Sequence, residues 1–231
     1  VVAVRSSTGE NSVSRWYTGG GLFRDVHLIV KDKISIARHG VFITTPSISA
    51  GNAEVSVQVE VAGIKNQQLA LEIVTKIYSP SGKQVAETKS VVPQKWKLSE
   101  VEVQLPRVNI PKPQLWSCET PSLYSAEVSL ILNGKVIDGV TERFGIRTVE
   151  FSKEFGFKLN GKKVFLKGVA NHHDLGAVGA AAYETSIARM MDRLKAFGFN
   201  HIRTSHNPYS KSFLKIANEK GLLIVDELYD K

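Results

Sequence analysis

The chain has 231 residues, 42% of them hydrophobic and 23% charged, which excludes collagen-like and disordered classes and leaves room for one large domain or two ordinary ones. No apolar run approaches the roughly 18 to 20 residues that span a bilayer, and Val1-Val-Ala-Val4 is too short for a signal-peptide core. The net charge of +8 would permit nucleic-acid contact, but the basic residues are scattered, with no run longer than Lys162-Lys163; a solvated basic surface is expected, with neither nucleic acid nor membrane as partner.

A single cysteine, Cys118, cannot form an internal disulfide, so nothing depends on an oxidising compartment. A soluble protein, periplasmic or cytoplasmic if bacterial, fits equally, and the compartment stays open. The first residue is Val rather than Met, which reads as sequence missing upstream. Residues 1–35 accordingly read as the end of a preceding domain, in which Gly19-Gly-Gly21 bends into an alternating strand over 22–30. That strand needs partners to bury its apolar face.

From about Gly40 to Val149 the pattern is all-β. Val55, Val57, Val59 and Val61 alternate with Ser56, Gln58 and Glu60, the signature of a half-buried strand. Further strands are expected over 69–78, 83–91, 100–105, 124–132 and 135–142. Ser79-Pro-Ser-Gly82 has turn chemistry, and Asn133-Gly134 suits a two-residue type I′ hairpin. About seven strands in about 110 residues predict an immunoglobulin-like β-sandwich over 36–148. The proline-rich stretch 107–121 reads as a long connection between sheets, with Trp116 and Tyr124 packed at the core edge.

A second hairpin is expected to turn at Asn160-Gly161, after which the period changes. Ile187, Met190, Met191, Leu194 and Phe197 recur at helical spacing before Gly198, and Phe213, Ile216 and Ala217 repeat the arrangement before Gly221. Both methionines read as helix packing. Three short apolar segments alternate with these helices, and each runs into polar residues: Asn171-His-His-Asp174, Arg203-Thr-Ser-His-Asn-Pro208 and Asp226-Glu227. Strand–helix–strand order with chemistry at the carboxyl ends predicts the first strands and helices of a truncated (β/α)8 TIM barrel over 149–231.

Within this candidate site, alternation separates His172 from His173 and lets His172 and Asp174 share a side. It likewise puts Arg203 with Ser205, and Thr204 with His206. A buried guanidinium requires a carboxylate partner, and Asp226 or Glu227 could serve Arg203, as could a carboxylate on a strand not present here. For the Asp226-Glu227 pair, structural pairing and ligand contact remain equally open. A metal site recruiting His172 or Asp174 with His206 lacks the His-x-His pair that would set two imidazoles on one strand face, so ordinary hydrogen-bonding histidines are expected and no metal. There is no Gly-x-Ser-x-Gly elbow and no phosphate-cradling glycine loop.

Several motifs resemble the glycoside hydrolase family 2 enzymes, which include β-galactosidases, β-glucuronidases and β-mannosidases. Ser14-Arg-Trp-Tyr and Gly21-Leu-Phe-Arg-Asp-Val26 look like the end of their jelly-roll sugar-binding-type domain. Trp116-Ser-x-Glu-Thr-Pro-x-Leu-Tyr124 and Phe144-Gly-Ile-Arg-Thr-Val-Glu150 look like the last strands of their immunoglobulin-like domain. Lys167-Gly-Val-Ala-Asn-His-His-Asp174, Arg203-Thr-Ser-His-Asn-Pro208 and Val225-Asp-Glu227 match the start of their catalytic barrel.

The resemblance implies a retaining exo-β-glycosidase, most readily a β-galactosidase, acting on terminal non-reducing sugars. Such chemistry uses two glutamates about 5 to 5.5 Å apart, one as acid/base and one as nucleophile. In the family they lie on the fourth and a later barrel strand, so the resemblance implies that both fall outside this chain, that the fragment alone is inactive, and that Glu227 does not replace either. It matches His172 to a sugar-contacting histidine, His206 to one supporting hydroxyl contacts, and Arg203 to an arginine that hydrogen-bonds the nucleophile. Asp174, Asn207 and Asp226 are further substrate-binding or supporting candidates. Ala170 and His173 depart from the polar or acidic residues common in relatives, which leaves the sugar open. A carbohydrate substrate is the implied partner. No cofactor is identifiable, and a structural cation or homo-oligomerisation of the parent protein stays open. The alternatives are a β-glucuronidase of the same family and a non-catalytic carbohydrate-binding or interaction module.

Overall fold

The computed structural model describes residues 1–5, 22, 25–49, 51–64, 69–93 and 99–228. The Ser14-Arg-Trp-Tyr motif and most of the sequence read as a preceding domain lie outside the described residues. Residues 25–30 form no strand, contrary to the expected strand over 22–30, and Val26, Leu28 and Val30 are exposed. The physical reason is pairing: no described strand lies alongside to take up its backbone hydrogen bonds.

The sandwich comprises β1 (Ser35–Ser49), β2 (Asn52–Ala62), β3 (Leu71–Tyr78), β4 (Gln84–Val91), β5 (Glu100–Gln104), β6 (Val108–Pro111), β7 (Tyr124–Leu132) and β8 (Lys135–Phe144). One sheet pairs β2 with β1, β5 and β6; the other runs β4-β3-β7-β8, and all pairings are antiparallel. Val55, Val57, Val59 and Val61 of β2 meet Ile73 and Ile77 of β3 and Ala126, Val128 and Leu130 of β7 in one buried core. Every second residue of these strands is inward, so period-2 alternation and burial coincide. Asn133 and Gly134 close the β7–β8 hairpin with φ of 50° and 78°, the left-handed pair a type I′ turn requires.

An antiparallel sheet of β9 (Val149–Ser152), β10 (Gly156–Leu159) and β11 (Lys162–Lys163) follows, turning at Asn160-Gly161. The chain then alternates: β12 (Gly168–His172), α1 (Glu184–Ala196), β13 (His201–Ser205), α2 (Lys211–Lys220) and β14 (Leu223–Val225). The three strands are parallel in the order β12-β13-β14. Val169, Ile202 and Ile224 stand in register and pack with Ile187 and Met191 of α1 and Phe213 and Ile216 of α2. Ala170, Arg203 and Val225, also in register, belong to the opposite, uncovered face. The described strands do not close into a barrel.

Helix α2 starts where the Ser210 side chain accepts the Phe213 N–H, and ends at Gly221 in the left-handed region with φ 74°. The sandwich and the α/β segment share a third apolar cluster of Trp116, Cys118, Leu123, Phe157 and Leu159. Trp116 therefore sits between domains rather than at the edge of the sandwich core. Its backbone carbonyl accepts from Asn160 Nδ2 at 3.0 Å, and the Arg147 guanidinium lies 4.6 Å from its ring centroid.

Candidate functional site

The polar side chains predicted from the strand ends meet at the carboxyl edge of β12, β13 and β14. Parallel register places the end of β12 beside that of β13, pairing His172 with Ser205. The His172 and His206 rings approach edge to face, with centroids 5.7 Å apart. On the far side of β13, Arg203 Nε forms an ion pair with Glu227 Oε1, while His206 Nδ1 lies 2.7 Å from Glu227 Oε2. The Arg203 contact is a pairing of charges rather than an aligned hydrogen bond. Glu227 thus bridges two of the predicted residues.

This convergence corrects one expectation. Strand alternation assigned His206 to the side of Thr204, away from Arg203, yet Arg203 and His206 share one carboxylate. Strand β13 ends at Ser205, so the period-2 rule does not extend to His206. Thr204 does follow the rule: it is fully buried, donates to Asp226 Oδ1 at 2.6 Å and accepts the Glu227 N–H at 2.9 Å. The two neighbouring acids therefore separate, Asp226 serving Thr204 and Glu227 serving Arg203 and His206. Glu227 was a candidate partner only, not a candidate site residue; the signal that finds it is the need of Arg203 for a counter-charge.

A second cluster holds the loops after β12 and β13 together. His173 Nδ1 and Asn207 Oδ1 are 3.2 Å apart, and the Tyr209 hydroxyl donates to the Asn171 backbone carbonyl. His173 and Tyr209 meet edge to face, as do Tyr209 and Phe213. His172 and His173 therefore serve different clusters, as alternation required. Burial pushes the Tyr209 phenol well above its ordinary pKa, with Asp174 and Asp226 adding to the shift against the opposing hydrogen bonds of Asn171 and Ser205. Tyr209 is thus a protonated donor, its proton favoured by the charges of both Asp174 and Asp226.

Chemically, the Arg203–Glu227–His206 group is a charged hydrogen-bonding constellation suited to a polyhydroxylated or carboxylate-bearing ligand. Among the described residues no group of three His, Cys, Asp or Glu side chains could hold a metal ion, and no helix is long and apolar enough to cross a membrane.

A β-sandwich feeding a parallel α/β unit, with polar residues gathered at its strand ends, is the architecture of a β module followed by the start of a (β/α) barrel. The chain belongs to glycosyl hydrolases family 2: the family's own model matches residues 35–147, and the model of its TIM barrel domain matches residues 149–229. The chain is 33% identical over 230 residues to the β-galactosidase BoGH2A of Bacteroides ovatus, covering 100% of this chain and 27% of that protein. It is 29% identical over 243 residues to a β-glucuronidase of Bacteroides fragilis, covering 98% of this chain and 34% of the relative. A crystal structure of a family 2 member from Bacteroides cellulosilyticus superposes with a TM-score of 0.88 at 37% identity, covering 93% of this chain and 29% of the other. The chain therefore spans about a quarter to a third of the length of these relatives.

Proposed function

We propose that residues 1–231 serve as part of a retaining exo-β-glycosidase, most closely a β-galactosidase, that removes terminal non-reducing sugars. The observation that carries this reading is the Arg203–Glu227–His206 group at the carboxyl ends of β13 and β14, within a chain of family 2. In this reading His172 and His206 contact sugar hydroxyls, and Arg203 supports the nucleophilic carboxylate, holding it ionised. Asp226, Asn207 and Asp174 buttress the site from behind, through Thr204, His173 and Tyr209. Glu227, with its two oxygens engaged by Arg203 and His206, is a support rather than the nucleophile or the acid/base. The two catalytic glutamates belong to later strands of the complete barrel, so residues 1–231 alone are proposed to be inactive.

The similarity to a β-glucuronidase favours one second reading, in which the substrate carries a carboxylate. Comparing aryl β-galactoside and aryl β-glucuronide hydrolysis by the full-length enzyme separates the two. Faster galactoside cleavage with a β-configured first product supports the leading reading. Faster glucuronide cleavage replaces it with the second, and an α-configured first product overturns retention.

A further inference from the structure

We propose that Glu227 is the positioning residue of this site, its carboxylate fixing the proton of His206 on Nδ1 while pairing in charge with Arg203. A carboxylate only accepts, so the 2.7 Å contact between Glu227 Oε2 and His206 Nδ1 requires a proton on Nδ1. The neutral ring then has Nε2 as its accepting nitrogen, the reverse of the tautomer that predominates in free histidine. The guanidinium of Arg203 pairs in charge with the other carboxylate oxygen, so one carboxylate faces both side chains.

The carboxylate can impose this order because it is itself held. The Glu227 side chain is only 18% exposed, and its backbone N–H donates to Thr204 Oγ1. Thr204 spends its single proton on Asp226 Oδ1, so its oxygen faces Glu227 as an acceptor. The sequence of bonds has one direction: Glu227 N–H to Thr204, Thr204 to Asp226. Thr204 is fully buried, and this fixes the end of β14 against β13. Glu227 thereby couples the charge of Arg203 to the tautomer of His206 without contacting a ligand.

The inference rests on the proposed sugar site only for what the ordered ring would bind; the tautomer is measured without substrate. The test is a long-range 1H–15N spectrum of the full-length enzyme, labelled at histidine and assigned by comparison with His206→Gln, at about pH 8, above the ordinary titration range of imidazole. The expected wild-type spectrum shows the His206 ring with its proton on Nδ1. In Glu227→Ala the majority form is expected to move to Nε2-protonated, with His172 and His173 as internal references. A wild-type His206 protonated on Nε2 or on both nitrogens overturns the proposal, and this result needs no variant to fold. A folded Glu227→Ala that keeps the Nδ1-protonated majority overturns it as well. Hydrolysis is not read, so this proposal and the glycosidase reading fail separately.

Discussion

The Trp116 indole nitrogen donates to the Asn218 backbone carbonyl at 2.8 Å, joining the last part of the sandwich to helix α2. The ring is buried beside Cys118, Leu123, Phe157 and Leu159, so one side chain fills the seam between the sandwich and the strands that carry the site.

Replacing Trp116 with Ala removes a fully buried aromatic and is expected to cost about 3–5 kcal/mol. Trp116→Phe keeps most of the apolar contact but leaves the Asn218 carbonyl unpaired, and is expected to cost about 1–3 kcal/mol. Urea unfolding followed by circular dichroism ranks the two; a Trp116→Phe variant as stable as wild type would deny the hydrogen bond a role.

Gly221 and Gly134 both have φ well above zero, at 74° and 78°, but their surroundings differ. A Cβ on Gly134 meets nothing within 4 Å, whereas one on Gly221 is driven into the Cys118 backbone carbonyl. The same carbonyl accepts from Lys195 Nζ. Gly134→Ala is expected to cost about 1 kcal/mol from backbone conformation alone, and Gly221→Ala distinctly more. Thermal unfolding of the two variants checks the order.

Asp138 stabilises the sandwich in a pH-dependent way. Its carboxylate accepts from Lys31 Nζ at 3.0 Å, from the Ile36 N–H at 2.9 Å and from the Gly139 N–H at 2.9 Å. Burial alone raises its pKa, but these bonds together outweigh burial and hold it below the ordinary 3.8. A depressed folded pKa means that the contribution is fully present above the unfolded value and is lost as pH falls through the folded one. Asp138→Asn is expected to destabilise the chain at neutral pH and to approach wild type at low pH. Urea midpoints at about pH 7 and pH 3 test this; a deficit independent of pH would contradict it.

Much of this architecture is legible because local chemistry and tertiary packing agree. Asn133-Gly134 and Asn160-Gly161 announce their hairpins, and the alternating valines of β2 announce a buried face. Strand β1 was hidden by its irregularity: register shifts fall between Ile36 and Val41 and between Thr44 and Ser47, and His39 has φ 60°, so no clean period survives. Strand β6 lies inside the proline-rich stretch, where composition argues for a connection. Residues 25–30 alternate like a strand but have no described strand to pair with, which a local pattern cannot reveal. At the site, the separate duties of His172 and His173 followed from alternation. The meeting of Arg203 and His206 on Glu227 did not, because it forms beyond the last residue of β13 and depends on the neighbouring strand.

The central claim is that the Arg203–Glu227–His206 group supports glycoside hydrolysis, and steady-state kinetics of Arg203→Lys in the full-length enzyme tests it most directly. Lysine keeps the charge but loses the guanidinium fork. The account predicts that kcat on the preferred aryl β-glycoside falls by about 100-fold or more, in the range seen when a transition-state hydrogen bond is removed, while the unfolding midpoint stays close to wild type. A folded variant with kcat and KM both near wild type would contradict it.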